Sequence, residues 1–269
     1  MKVLLPKLTR LVPIILWLGL LAILAGCRDH SEGIDIRVHP GPGESISAYG
    51  WVGVTFSQPM ERTRVEQAFS LSPAQSGEFI WKGTGVWFRP LTAYDRESQY
   101  QASLSGVLLT RAGAHIDVDR TWRFAIREPD LIYYVPGDMY GELWRADSNG
   151  EHARQLTQTG NKVVDFAAAR SGDWIAFTSE NDSGGRDLWI MDREGEQQVR
   201  LVDCGQDICG EPTWSMNQEN IAYTRETYLP DVNGYQTARM WIVQVSTGET
   251  SQLYQDEDIP GHSPKYSPD

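Results

Sequence analysis

Asp173-Trp-Ile-Ala-Phe-Thr-Ser179 and Asp187-Leu-Trp-Ile-Met-Asp-Arg-Glu-Gly195 decide the fold of the second half of this chain. Each is a short β-branched and aromatic run, and turn residues separate the two, which is the signature of paired strands. They form the middle of a three-part unit that recurs: a hydrophobic strand, an aromatic strand after a turn, and a strand ending in Leu. The first copy is Leu131-Ile-Tyr-Tyr-Val135, Glu142-Leu-Trp-Arg-Ala-Asp147 and Arg154-Gln-Leu156. The second adds Val199-Arg-Leu201 to the two stretches above. The third is Asn220-Ile-Ala-Tyr-Thr224, Arg239-Met-Trp-Ile-Val243 and Ser251-Gln-Leu253. Trp144, Trp189 and Trp241 keep the spacing, 45 and then 52 residues, and so do Leu156, Leu201 and Leu253. A period near 45 built from short strands predicts a β-propeller, one four-stranded blade per unit, over residues 131–269.

The unit resembles the TolB-type, WD40-like repeats of periplasmic and secreted propellers. Glu211-Pro-Thr-Trp-Ser215 and Ser263-Pro-Lys-Tyr-Ser-Pro-Asp269 are similar to the segment that opens those blades, whereas Asp165-Phe-Ala-Ala-Ala169 is a degenerate copy. Three units and a fragment fall short of the about four to eight blades of a ring. The expectation is therefore that the sequence is part of a longer protein; if it is complete, its open arc has to pair with another chain.

Before the repeats, residues 45–127 read as a β-sandwich. Val52-Gly-Val-Thr-Phe56 and Tyr100-Gln-Ala-Ser-Leu104 alternate, and Phe79-Ile-Trp81, Val86-Trp-Phe88 and Thr121-Trp-Arg-Phe124 are further short runs between turns. Glu61 to Phe69 reads as one or two helical turns with Val65, Ala68 and Phe69 on one face. The order Val54-Thr-Phe-Ser-Gln-Pro-Met60, Val65-Glu-Gln-Ala-Phe69, Gly77-Glu-Phe-Ile-Trp81 and Val86-Trp-Phe-Arg-Pro90 resembles the bacterial Ig-like domain of S-layer and other surface proteins. That resemblance implies a spacer or adhesive module without catalysis, in which Met60 and Trp81 pack the core. The predicted class is all-β: an Ig-like sandwich followed by a partial propeller of about three blades.

Further towards the N-terminus the chain stops reading as a fold. Residues 27–44 are rich in Gly and Pro and read as a tether, although Ile34-Asp-Ile-Arg-Val38 alternates as a short strand does. Residues 1–26 carry Lys2, Lys7 and Arg10 and then an apolar run from Leu11 to Ala25, too short at about 1.5 Å per residue to span a bilayer. This reads as a secretory signal. Its end, Leu24-Ala-Gly-Cys27, resembles the lipobox of bacterial lipoproteins, which implies cleavage before Cys27 and lipidation of its thiol. The resemblance places the protein outside the cytoplasm, held to the membrane by its acyl chains, on the periplasmic face or cell surface.

That compartment is oxidising, so Cys204 and Cys209, the two cysteines left once Cys27 is lipidated, are expected to form a local disulfide. A metal reading of the pair lacks neighbouring Cys or His ligands. A formal charge of −12 excludes a phosphate-binding stripe and with it nucleic acid, and loss of residues 1–26 removes only positive charge. No hydrolase elbow, zinc-protease pair, P-loop or dinucleotide fingerprint occurs, and no cofactor is implied. His30, His39, His115, His152 and His262 are scattered and read as solvated surface residues. Asn181-Asp-Ser-Gly-Gly185 offers oxygen ligands for Ca²⁺, but the same residues make ordinary turns, which is the preferred reading. Glu249 to Asp258 reads as a solvated acidic loop. The functional expectation is a non-catalytic envelope lipoprotein whose propeller binds a protein or glycan. The alternative is the N-terminal part of a prolyl-oligopeptidase-like hydrolase with its catalytic domain beyond residue 269.

Overall fold

Alternating apolar residues bury one face of each early strand, and two such faces closing on each other make the first half of the fold. In a computed structural model that describes residues 34–254 and 259–267, the elements of this half are Ile36–His39 (β1), Ser45–Ile46 (β2), Val52–Phe56 (β3), Arg62–Ala68 (α1), Phe69–Ser72 (β4), Gly77–Lys82 (β5), Gly85–Pro90 (β6), Tyr100–Leu109 (β7) and His115–Ile126 (β8). One sheet runs β1-β3-β6-β5 and the other β2-β8-β7-β4. Val52, Val54, Phe56, Phe88, Leu104, Trp122 and Phe124 fill the space between them. The Glu61 carboxylate caps α1, accepting from the amides of Thr63 at 3.2 Å and Arg64 at 2.9 Å, and those bonds hold it below the usual carboxylate range. Val65 turns inward from the helix, and the chain leaves it extended at Phe69.

Part of the stretch expected as a tether is a strand. Ile36–His39 pairs with β3 from Ile36↔Phe56 to His39↔Gly53, and Ile34, Ile36 and Val38 pack on the core. Their alternation is strong enough to recruit the segment as an edge strand despite the Pro and Gly that follow. Met60 lies in the core, and Trp81 packs against it while its indole N–H donates to Glu66 at 2.7 Å.

The second half is a series of antiparallel blades. The first holds Asp130–Pro136 (β9), Gly141–Asp147 (β10) and Arg154–Gln155 (β11). Val163–Ala168 (β12), Trp174–Glu180 (β13), Arg186–Asp192 (β14) and Val199–Val202 (β15) form the second. The third holds Ile208–Trp214 (β16), Asn220–Glu226 (β17), the small hairpin Tyr228–Leu229 (β18) and Gly234–Tyr235 (β19), then Arg239–Gln244 (β20) and Thr250–Gln252 (β21). Strand order within each blade follows the chain, and single pairs, Gly141↔Val163 and Arg186↔Ile208, link one blade to the next. The degenerate Asp165–Ala169 stretch still supplies a strand, β12, because its backbone pairs with β13 whatever its side chains. The longer second repeat comes chiefly from the 227–238 connection, which carries the hairpin where the second blade has only 181–185.

Blades pack face to face. Ile132, Tyr134 and Leu143 of the first meet Ile175, Phe177 and Met191 of the second. Ala176, Leu188 and Ile190 on the second blade's other face meet Ile221, Tyr223, Trp241 and Val243 of the third. The sandwich is fixed to the blades through Arg127, which donates to Asp173 at 2.6 Å, and through Arg170, whose guanidinium lies 4.0 Å from the Tyr49 ring. Among the described residues no helix is long and apolar enough to cross a membrane.

Candidate functional site: a cleft between the first two blades

Where the first blade hands over to the second, the 157–162 connection and the second blade leave a cleft of about 410 Å³. Its floor is the cross-strand pair Phe177↔Trp189, whose rings stack 6.3 Å apart at 17°. Phe177 is buried and Trp189 half-buried, so the indole is the ring offered to the opening.

Two buried carboxylates hold the loops around it, Asp187 in the lining and Glu142 behind it. Glu142 stands just before Leu143-Trp144, as Asp187 stands just before Leu188-Trp189. Glu142 accepts from the Thr157 hydroxyl at 2.6 Å, from the Thr159 amide at 2.7 Å and from the Asn161 amide at 2.8 Å. These bonds shape the 157–162 segment that brings Thr159 and Lys162 to the cleft. Asp187 accepts from the Asn181 side-chain amide at 2.8 Å and the Cys204 backbone amide at 2.9 Å, and it pairs with Arg200 at 3.3 Å. A buried carboxylate holding several donors fixes a loop because releasing them would leave polar groups unpaired. Ion pairs Lys162–Asp182 at 3.2 Å and Arg200–Asp203 at 3.0 Å lie at the rim, with Gln198 beside them.

The Asn181–Gly185 stretch is a turn here. Asn181 Oδ1 accepts from the amides of Ser183 at 2.9 Å and Gly185 at 3.1 Å, and its Nδ2 also donates to Gly205 O at 2.8 Å. A Cβ on Gly185 would lie 2.3 Å from Gly205 O, so only glycine lets the two loops approach. Cys204 and Cys209 are joined by a disulfide, with Cα atoms 6.4 Å apart. Between them Asp207 accepts from Arg225 Nε at 2.7 Å and from the Tyr228 amide at 2.9 Å, which ties the disulfide loop to the base of the β18–β19 hairpin.

Cys27 and His30 lie outside the described residues, as do 255–258 of the acidic stretch. The other histidines stand away from the cleft: His39 against Trp87 at 5.0 Å, His152 on Asp147 at 2.7 Å, His115 at the start of β8 and His262 near Glu211 at 4.0 Å. Sequence reading missed Glu142, Asp187, Lys162 and Arg200. A signal for the first two was present, the acidic residue before each Leu-Trp, but it reads equally well as an exposed strand end.

No protein-family model and no curated protein matches this chain. Solved structures similar to it include a putative TolB from Agrobacterium tumefaciens, at 15% identity and TM-score 0.40, covering 58% of this chain and 61% of that one. An L,D-transpeptidase from Mycobacterium smegmatis shows 14% identity and TM-score 0.32 over 62% of this chain and 79% of that one. The N-terminal part of the bacterial S-layer protein SbsC shows 11% identity and TM-score 0.32 over 76% and 43%. This chain thus spans less than two thirds of the length of the TolB and S-layer structures. At these similarities no residue or role carries over, and the all-β, blade-bearing fold rests on the strand pairing itself.

Proposed function

We propose that this chain is a non-catalytic lipoprotein of the cell envelope, periplasmic or surface-facing, in which an Ig-like sandwich spaces a propeller-type module that binds a glycan in the cleft between its first two blades. The observation that carries the reading is the cleft itself. A partly exposed indole over a buried ring suits the apolar face of a sugar, and the carboxylates, amide, hydroxyl and cations around it suit the hydroxyl groups at a sugar's edge. Such mixed donors and acceptors favour a polyhydroxylated ligand over an apolar one.

The test is a binding isotherm against a panel of oligosaccharides. Trp189→Ala, checked for unchanged strand content, is expected to weaken the best ligand by roughly tenfold or more, and Lys162→Ala by several-fold. A control at Val199, exposed on the outer strand, is expected to leave affinity unchanged. Wild-type affinity in both cleft variants overturns the glycan assignment. Anchoring is tested separately: Cys27→Ser is expected to abolish lipid labelling and release the chain from membranes, and continued attachment would refute the lipobox reading.

A further inference from the structure

The sandwich and the blades meet over a hollow of about 160 Å³. Tyr49, Trp51, Arg89 and Leu91 line it from the sandwich, and Arg170, Met216 and Gln218 line it from the turns that join β12 to β13 and β16 to β17. The chain carries 36 acidic residues against 24 basic ones, yet two guanidiniums and no carboxylate line this hollow. A third cation stands beside it, Lys82, whose Nζ lies 4.7 Å from the centre of the Trp51 ring. Boundaries between modules are favoured places for small-molecule sites.

Arg170 is held with its face covered and its edge open. Its guanidinium carbon lies 4.0 Å from the centre of the Tyr49 ring, and its hydrogen-bond partner is Met216 Sδ at 3.9 Å, a weak acceptor. A guanidinium laid on an aromatic face keeps its in-plane N–H groups for a two-pronged contact with an oxyanion. The turn that bears it is fixed, because the Ser171 hydroxyl donates to Gln218 Oε1 at 2.7 Å. Arg89 faces the same hollow, with its Nη2 donating to Glu78. Burial lowers the pKa of Arg89, Glu219 opposes this and Arg170 adds to it, so the two guanidiniums lie close enough to repel. An anion between them relieves that repulsion.

We infer that this hollow is a binding site for an oxyanion, a carboxylate or phosphate group carried on a compact apolar body, with the anion on Arg170 and Arg89 and the body against Trp51 and Leu91. The site is separate from the cleft over Trp189 and shares none of its lining residues. Its volume of about 160 Å³ is well short of the roughly 300–1,000 Å³ of drug-sized pockets, so it takes one ring or a short chain with its charged group. A ligand there touches both the sandwich and the blades, and so strengthens their contact.

Calorimetric titration of the full chain with phenyl phosphate, benzoate and uncharged phenol tests this. At least one of the two anions is expected to bind, with phenol roughly tenfold weaker or more, and the tighter anion identifies the group the site takes. Arg170→Gln is expected to weaken that anion roughly tenfold or more, as loss of a charged hydrogen-bond partner does. Because Arg170 also touches Tyr49, Leu91→Glu serves as a second variant. Leu91 is 56% exposed, so the added carboxylate leaves the fold intact and repels the anion, and a similar loss is expected. Val107→Glu adds the same charge on β7, outside the hollow and 58% exposed, and is expected to bind as the wild type does. Absence of saturable binding of both anions, phenol binding as tight as theirs, or wild-type affinity in both Arg170→Gln and Leu91→Glu overturns the proposal.

Discussion

Tyr223 shows what burial does to one polar side chain in this fold. It is fully buried between the second and third blades, and loss of water pushes its hydroxyl up to about 12, against the opposing pull of Arg225. Tyr94, stacked edge-on against Tyr100 in the sandwich, is raised as well, by burial first and by Tyr100 second. Unfolded tyrosine loses its proton near 10, so between about pH 10 and 12 the unfolded state holds fewer protons than the folded one. Stability is therefore expected to be unaffected by these groups below pH 10 and to fall as pH rises above it. The loss is up to about 3 kcal/mol for Tyr223. Denaturant titrations at pH 9 and 11 check this, and Tyr223→Phe should flatten the slope. Glu142 and Asp187 illustrate the complementary case, buried carboxylates whose oxygens are each met by several donors.

At the scale of elements, the 204–209 loop matters more than its length suggests. Closing six residues with a disulfide stabilises by about 2 kcal/mol in the chain-entropy view. Its position adds to this, since Cys204 is bonded to Asp187 and Asp207 holds both Arg225 and the start of the β18–β19 hairpin. The double variant Cys204→Ser, Cys209→Ser is expected to lose about 2 kcal/mol and to show faster amide exchange over 227–238 than elsewhere in the third blade. Equal exchange there would mean that Asp207 keeps its place without the bridge. Non-reducing peptide mapping of native protein is expected to recover the two cysteines in one linked peptide.

For the whole molecule, the coupling of sandwich to blades is what turns two modules into one body. It rests on few contacts: Arg127–Asp173 with Arg127 also donating to Ser171 O at 3.5 Å, Arg170 over Tyr49, and Lys82–Glu219 at 3.9 Å. Surface ion pairs of this kind contribute at most about 1 kcal/mol each, while a cation–π contact out of water contributes up to about 2 kcal/mol. Calorimetry of the wild type is expected to show one unfolding transition, and the double variant Arg127→Ala, Tyr49→Ala two. A single transition in that variant would place the coupling elsewhere in the interface.

Much of this architecture was legible in the chain, because a strand's period and a repeat's spacing are local properties. The alternation of Val52-Gly-Val-Thr-Phe56, the short helix before Phe69 and the Trp144, Trp189, Trp241 series each announce an element that forms where expected. Sequence alone also singled out Cys204 and Cys209 and the turn at Asn181. It could not tell that Ile36–His39 joins the sandwich, since an edge strand is decided by whether a partner edge lies within reach. Nor could it distinguish Glu142 and Asp187, buried and bonded, from the acidic residues that end other strands in water. The cleft over Trp189 likewise exists only because two repeats meet with their loops at one end. Composition and period determine which faces are apolar; the contact between faces distant in sequence decides which of them is covered and which is left open to bind.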